Sequence, residues 1–353
     1  MTGPSLPPPA WQSQGAPGLA GPAGPLPTER PPRAPDGPSL RGWQRFAFRA
    51  LLAGLGLLRR LPDKPLYRSA YTIGTGLYLL MPERRARVRS NLERVCRWLV
   101  EQGQAVPRVE RAAHDPAALE RLVRATFGHW LVTYVEAALG PRYSSDELRR
   151  RLVPAHAATS AEALSVRPPG EVGPIHLSMH FGSVDLSALY GTRVGHLPVT
   201  GPMESVAHPL ARAWFDHVRG ELGVTIVPLG GAAQELTAAL RRGEAVGLVA
   251  DRNIVGSGAQ VELCGAPARL PIGPAVLSVQ TGATIYLQAI ERTGPGAWLG
   301  HTVAIRPEPG LSRRDATRSI IEQEARAFER IIARAPEQWT TLFFPIWKGE
   351  EGS

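Results

Sequence analysis

Hydrophobic and polar positions follow a helical period in the first part of the chain. Apolar residues recur at near-helical spacing over residues 41–61, 83–102 and 115–139, which predicts three helices. A further apolar stretch covers residues 70–81, and Asp115-Pro116 is a typical helix start. The positions of the third helix that are predicted to be buried are Leu119, Leu122, Val123, Phe127, Trp130, Leu131 and Tyr134.

From about residue 170 the pattern changes to short apolar runs that alternate with helical stretches. Runs that predict strands cover residues 175–181, 197–200, 225–228, 245–250, 260–263, 284–290 and 302–305. Stretches that predict helices cover residues 184–190, 210–222, 232–242, 274–281 and 315–335. This alternation is typical of an α/β fold with strands buried on both faces. The polar segment 251–258 is predicted to be a surface loop after a strand end, where open α/β sheets place their sites.

Composition divides the chain into three parts. Residues 1–40 hold twelve of the 34 prolines and six of the 37 glycines, so we predict a disordered tail there. Residues 41–140 are predicted to be a helical, membrane-associated segment. Residues 141–350 are predicted to be the α/β core, with 41–350 forming one compact unit. We expect no signal peptide and no membrane span, because the best apolar run covers only residues 50–58 and a span needs ~20 residues.

The charge of the chain narrows the classes of partner. The net charge is +9, from 40 Lys and Arg against 31 Asp and Glu. A basic chain suits nucleic acid, an anionic membrane or a phosphorylated substrate. The sequence contains no zinc finger, no aromatic RNA-binding strand and no basic tract that would indicate a nucleic-acid partner. The two cysteines, Cys96 and Cys264, exclude a disulfide framework and a cysteine-based zinc site, and are predicted to be small core residues.

The predicted helix over residues 41–61 combines basic and aromatic side chains. Arg41, Arg45 and Arg49 form one stripe, while Trp43, Phe46, Ala50, Leu57 and Leu58 lie away from it. A basic, aromatic-bearing amphipathic helix is typical of a membrane interface. The alternative is a terminal helix packed on the core, and the pattern leaves both open.

The candidate chemistry lies around His176, His180 and Asp185. A metal site shared by the two histidines is disfavoured, because residues four apart on a strand lie ~13 Å from each other. A structural histidine at a strand end is a second reading. The third is a catalytic pair, in which His180 ends the strand, Gly182 supplies a flexible turn and Asp185 reaches back from the next helix.

Other catalytic motifs are missing from the sequence. It holds no Gly-x-Ser-x-Gly elbow, no complete dinucleotide fingerprint and no Walker lysine motif. If His180 is a general base, its nucleophile therefore comes from the substrate.

Several separated blocks resemble the bacterial lipid A late acyltransferases and the related phosphatidylinositol mannoside acyltransferases, a lysophospholipid-acyltransferase-like group. The blocks are His-Phe-Gly-Ser-Val-Asp at 180–185, Ala-Trp-Phe-Asp-His-Val-Arg at 213–219, Gly-Leu-Val-Ala-Asp-Arg at 247–252, Pro-Ile-Gly-Pro-Ala at 271–275, Pro-Glu-Gln-Trp at 336–339 and Ile-Trp-Lys at 346–348. They follow the family's order over residues 43–349. The resemblance implies a mixed central sheet flanked by helices, as in glycerolipid acyltransferases, after a helical membrane-contacting segment.

The resemblance also implies three catalytic roles. His180 corresponds to the general base, Asp185 to its orienting partner and Asp251 to a carboxylate that joins the charge relay. A turn-forming role is the plain alternative for Asp251. The family's usual Gly-Asn-Trp after the histidine is replaced by Gly-Ser-Val at 182–184, a change that bears on the shape of the acceptor site.

Substrate-binding roles fall, by the same resemblance, to Arg219, Arg252 and Glu204. Arg219 matches the family's arginine, and its alternative is an exposed surface charge. Glu204 matches a nearby acidic position, and its alternative is a favourable charge in the first turn of a helix.

The implied activity is transfer of a fatty acyl chain from acyl coenzyme A or acyl carrier protein to a hydroxyl of a membrane glycolipid. The implied acceptors are phosphatidylinositol mannosides and lipid A precursors. The residues of the matching blocks favour the mannosides. No cofactor and no metal are expected, and the expected place is the cytoplasmic face of the bacterial inner membrane, peripherally bound to an anionic surface. A non-catalytic membrane-binding protein and a thioesterase-like hydrolase remain alternatives.

Overall fold

A computed structural model describes residues 41–155, 170–203, 208–253, 256 and 258–347. The predicted tail over 1–40 lies outside this range. The six helices of the first part are α1 (Gly42–Leu58), α2 (Asp63–Leu80), α3 (Pro82–Glu101), α4 (Pro107–His114), α5 (Pro116–Leu139) and α6 (Ser145–Arg151). Within the described ranges, none of the helices is both long and apolar enough to cross a bilayer.

Local signals set the ends of these helices. The predicted start at Asp115 is confirmed, because its side chain accepts a hydrogen bond of 2.8 Å from the backbone N–H of Ala117. At α6, Ser144 and Glu147 bond to each other's backbone N–H groups in a capping box. These caps satisfy N–H groups that the first helical turn leaves unpaired.

The predicted buried face of α5 is confirmed for Leu119, Leu122, Val123 and Phe127, whereas Trp130 and Leu131 are half-buried. Phe127 is buried and packs edge-on against Phe343, and the Trp130 ring also lies against Phe343. The prediction for Tyr134 is wrong, because this side chain is 42% exposed. Tyr134 lies one turn beyond Trp130 and makes an edge-on contact with the Trp130 ring, with 5.6 Å between the ring centres.

The second part of the chain forms a mixed α/β structure, as predicted. Its strands and helices are, in chain order, β1 (Leu152–Pro154), β2 (Ile175–Gly182), α7 (Val184–Arg193), β3 (Val199–Met203), α8 (Pro209–Glu221), β4 (Val224–Pro228), α9 (Ala232–Arg241), β5 (Ala245–Val249), β6 (Gly258–Leu263), β7 (Ala266–Pro271), α10 (Gly273–Thr281), β8 (Ile285–Gly294), β9 (Ala297–Ile305) and α11 (Arg313–Ile332). Two short 3-10 turns follow, Pro336–Gln338 and Thr340–Phe343.

Seven strands form the central sheet in the order β1-β9-β8-β2-β5-β3-β4. The five strands β8, β2, β5, β3 and β4 are parallel to one another. Strand β9 runs antiparallel to β8, and β1 pairs parallel with β9. Strands β6 and β7 form a separate hairpin. The carboxyl ends of the five parallel strands therefore meet at one edge of the sheet.

Strand β2 lies in the middle of this sheet and presents two different faces. Leu177, Met179 and Phe181 belong to the large core cluster that also contains residues of α3, α5, α9 and α10. Because side chains alternate along a strand, His176, Ser178 and His180 point to the opposite face, which α7 covers. The polar side chains of β2 therefore lie between the strand and α7.

Candidate active site

His180 lies at the carboxyl end of β2, where the strand turns into α7. The turn requires a residue without a side chain, since Gly182 has a φ of +55° and a Cβ there would collide with the carbonyl oxygen of Ile290. Ser183 occupies the N-cap position and Val184 begins the helix. The strand, turn and helix predicted for residues 175–190 are therefore present.

A buried carboxylate pairs with the imidazole. Asp251 lies two residues after the end of β5, the neighbour of β2, and its Oδ1 is 2.7 Å from Nδ1 of His180. Its Oδ2 accepts three hydrogen bonds, from the backbone N–H of His180 at 3.0 Å, Nε1 of Trp339 at 2.8 Å and Oγ1 of Thr341 at 2.6 Å. Thr340 adds a hydrogen bond of 3.1 Å to the carbonyl of His180.

The charge of Asp251 determines the tautomer of His180. Burial by itself would raise the pKa of Asp251, but the charge of His180 and the hydrogen bonds from His180, Thr341 and Trp339 lower it to about 2. The carboxylate is therefore an acceptor only, so Nδ1 carries the proton and donates it. Nε2 of a neutral His180 is left with a free lone pair, as a general base needs.

The burial of Asp251 corrects the expectation of a surface loop that begins at this residue. Asp251 is 2% exposed. The loop that follows β5 begins inside the molecule, because the carboxylate is held by donors from β2 and from the C-terminal turns.

His180 lines a cavity of about 840 Å³ that reaches both faces of the sheet. The wall under α7 carries polar side chains, namely His176, Ser178, Asp185, Ser187 and Gln288. The floor on the same face is formed by glycines and small apolar residues, Val199, Gly201, Val224, Ile226 and Gly247. On the opposite face the apolar lining includes Leu236 of α9, Val276 of α10, Leu248 of β5 and Ile272, the residue before α10.

Of the other predicted residues, two lie on this cavity. Asp185, in the first turn of α7, lines the cavity together with His180. Arg252 also lines it, and its guanidinium lies 4.1 Å from the ring centre of Phe344. Arg219 belongs to α8. Its side chain and the whole of Glu204 lie outside the described part of the chain.

Sequence reasoning gave no role to Trp339 and Thr341. The Pro-Glu-Gln-Trp block at 336–339 marked the neighbourhood, but nothing in it indicated which buried group the indole would bind. Thr341 carried no signal at all, because a single hydroxyl 90 residues from Asp251 has no sequence pattern.

Ser183 in the turn and the two cysteines are poorly placed to form a covalent intermediate. Ser183 is 1% exposed, and both cysteines are buried. Burial also raises the pKa of Cys96 to about 12. Over the described ranges, no group of three or more His, Cys, Asp or Glu side chains is arranged to hold a metal ion.

Comparison with known proteins adds a family and two relatives. The family model described as bacterial lipid A biosynthesis acyltransferase matches residues 35–348. A phosphatidylinositol mannoside acyltransferase of Mycolicibacterium smegmatis is 29% identical over 172 residues, which is 48% of this chain and 54% of the relative. One of Mycobacterium tuberculosis strain H37Rv is 28% identical over 181 residues, 50% of this chain and 55% of the relative. The chain thus spans about half the length of the curated relatives it matches.

Proposed function

The chain belongs to the bacterial lipid A biosynthesis acyltransferase family, and we propose that it moves a fatty acyl chain from an acyl thioester to a hydroxyl of a membrane glycolipid. The donor is acyl coenzyme A or acyl carrier protein. The acceptor is a phosphatidylinositol mannoside, the substrate class in the names of its relatives. The observation that carries the proposal is the His180–Asp251 pair: Nδ1 of His180 is bonded to the carboxylate, Nε2 has no hydrogen bond within the described part of the chain, and His180 lines a large cavity.

In the proposed reaction, one proton passes from the acceptor hydroxyl to His180 and then from His180 to the leaving thiolate. Nε2 of His180 takes the proton of the acceptor hydroxyl as the oxygen attacks the thioester carbonyl carbon. The C–S bond then breaks and the new ester bond remains. The thiolate accepts the proton from Nε2 and leaves as a free thiol. Asp251 holds the imidazole in the required tautomer and stabilises its positive charge during the step. Asp185, on the same cavity wall, stays a predicted second partner of the imidazole.

The negative charge that develops on the carbonyl oxygen needs a donor. Arg252 is one candidate, since it lines the cavity that His180 also lines. Arg219 is the other, on the family resemblance. Glu204 is kept as an acceptor-binding candidate on the same ground. The burial of Ser183 supports direct transfer with both substrates bound and no acyl-enzyme.

The shape of the cavity suits a lipid substrate. Gly201 and Gly247 are on neighbouring strands and line the floor beneath α7 together with Val199, Val224 and Ile226. We place the acyl chain along the apolar lining of the cavity, where burial of each methylene contributes ~0.8 kcal/mol to the binding free energy.

The outer surface of α1 supports peripheral binding to the membrane. Trp43 and Phe46 are 65% and 76% exposed, and Leu57 is exposed in the same stripe. The other side of the helix packs on the protein, with Leu55 buried and Phe48 edge-on to His217. An exposed apolar stripe flanked by arginines favours an interface helix over the alternative of a helix packed on the core.

Two measurements test the proposal. Mass spectrometry of membrane lipids, from cells with and without the protein, is expected to show one glycolipid that lacks an acyl chain when the protein is missing. Purified protein with acyl coenzyme A and phosphatidylinositol mannoside is expected to give acylated lipid rather than free fatty acid, with intersecting double-reciprocal lines. His180→Ala should lower the rate ~10²–10⁴-fold. Free acid as the main product would establish a hydrolase, and an unchanged rate in folded His180→Ala would exclude the mechanism.

A further inference from the structure

A buried ion pair lies behind the turn that follows His180. Arg292 of β8 and Glu136 of α5 have side chains that are 5% and 1% exposed. Nη2 of the arginine lies 2.6 Å from one carboxylate oxygen, and its Nε lies 2.9 Å from both. Trp298 donates a further hydrogen bond of 2.8 Å to Glu136, and Nη2 of Arg292 donates to Thr133 at 2.8 Å.

The arginine of this pair also holds the backbone of the turn. Nη2 of Arg292 also donates to the carbonyl of Gly182 at 2.8 Å, so its two hydrogens are shared among Glu136, Thr133 and this carbonyl. The next backbone N–H, that of Ser183, donates to the carbonyl of Ile290 at 3.3 Å. Both contacts come from β8. The peptide between residues 182 and 183 is therefore held at its carbonyl and at its N–H, two residues after His180.

A second connection leads from Arg292 to the carboxylate of the site. The side-chain amide of Gln338 accepts from the backbone N–H of Arg292 at 2.8 Å and donates to its carbonyl at 3.0 Å. The following residue, Trp339, donates to Asp251. The ion pair thus lies at the junction of the two segments that hold the imidazole.

A role in stability alone does not require this arrangement. Desolvation of two charges offsets most of the attraction between them, so a well-packed apolar pair is often as stable. A guanidinium differs from an apolar side chain in that its planar array of donors can hold a carboxylate and a carbonyl at fixed angles.

We propose that Glu136 and Arg292 are positioning residues, which hold the Gly182 turn so that His180 and Asp185 keep their reactive geometry. This inference rests on the proposed function. Glu136 fixes the guanidinium, and the guanidinium fixes the carbonyl of Gly182. When the carbonyl is released, the 182–183 peptide can rotate, and the imidazole and the start of α7 shift with it. A displacement of ~1 Å in a catalytic group costs up to ~10²-fold in rate.

The test compares Glu136→Gln and Arg292→Lys with a matched control on the same strand. Glu291→Gln makes the same chemical change at the adjacent residue, whose carboxylate bonds to His301 and Arg334 and does not contact the turn. In the full-length protein, kcat is expected to fall ~10–100-fold in the two variants, with the KM of each substrate within about threefold. The control is expected to keep kcat. The double variant is expected to lose no more than the worse single variant, because the residues act as a unit.

A second readout does not depend on turnover. Hydrogen exchange of the peptide over residues 181–186 is expected to be faster in the two variants and unchanged in Glu291→Gln. If Arg292→Lys does not fold, Glu136→Asp keeps the charge and is expected to give an intermediate kcat and exchange rate. Equal losses of kcat in Glu136→Gln and the control, or unchanged exchange, would overturn the positioning role. A wild-type protein without acyl transfer refutes the proposed function instead, and the exchange data still decide the role of the pair.

Discussion

Asp251→Asn separates the charge of the carboxylate from the hydrogen bonds that it makes. Among the described residues, Oδ2 of Asp251 faces three donors, whereas Oδ1 faces only Nδ1 of His180. An asparagine must place its oxygen at the Oδ2 position, because an NH₂ group there would oppose three donors. Its NH₂ group then faces Nδ1. The ring nitrogen must accept, the proton moves to Nε2, and the general base is lost.

The magnitudes follow from the same geometry. Loss of the correct tautomer is expected to lower kcat ~10³–10⁴-fold. The pKa of Asp251 is lowered from 3.8 to about 2, so its charge contributes about 2 kcal/mol to stability. Since the folded pKa lies below the unfolded value, this contribution is present above pH ~4 and is lost as pH falls through about 2. The variant should therefore be about 2 kcal/mol less stable at neutral pH, with a difference that shrinks in acid.

The assay combines initial rates of acyl transfer with ¹⁵N NMR of the histidine side chains. The spectrum of the variant is expected to show the proton of His180 on Nε2, and that of the wild type on Nδ1. Asp185→Asn is the matched control, and it should leave the Nδ1 proton in place. A folded Asp251→Asn protein with kcat within about tenfold of wild type would refute the tautomer argument.

Three further predictions concern the cavity, the surface and the core. The Cβ of Gly247→Ala would lie 3.2 Å from Cγ1 of Val199, so only a small shift of that side chain is needed. This variant should lower kcat/KM for the longest accepted acyl chain roughly fourfold for one excluded methylene, measured with a series of acyl coenzyme A donors. An unchanged series would mean that the acyl chain lies along another part of the cavity. Trp43→Glu should weaken co-sedimentation with anionic vesicles at least about tenfold, while Gln102→Glu should not. Burial raises the pKa of Glu324 from 4.5 to about 8, and neither of its oxygens has a hydrogen-bond partner among the described residues. As pH rises, the Glu324 carboxyl ionises in the unfolded chain before it does so in the folded protein. The free energy of unfolding therefore falls between pH 4.5 and about 8. Glu324→Gln should therefore add about 3 kcal/mol near pH 7 and much less near pH 5 in urea unfolding, and an equal gain at both would contradict this.

The sequence by itself determined the local elements of this protein. Periodicity predicted most of the longer helices and most strands of the central sheet, since burial of one face imposes a spacing that a single chain segment reveals. It missed the short elements α4, α6 and β1 and the hairpin strand β7, which are too short to show a period. His180 at a strand end, Gly182 in the turn and Asp185 in the next helix could be predicted because they are neighbours in the chain. The amphipathic pattern of α1 was visible for the same reason, whereas the exposure of Trp43 and Phe46 came from the structure.

The tertiary structure decided which distant groups meet. Asp251 reaches His180 because β5 pairs with β2, and the order of strands is not encoded in the period of either one. Thr341 comes to the same carboxylate from the end of the chain. Glu136 and Arg292 lie 156 residues apart, and each alone is an ordinary charged residue. Their burial and pairing arise only when α5 closes on the sheet, because long-range packing, rather than local spacing, selects the partner of a buried polar group.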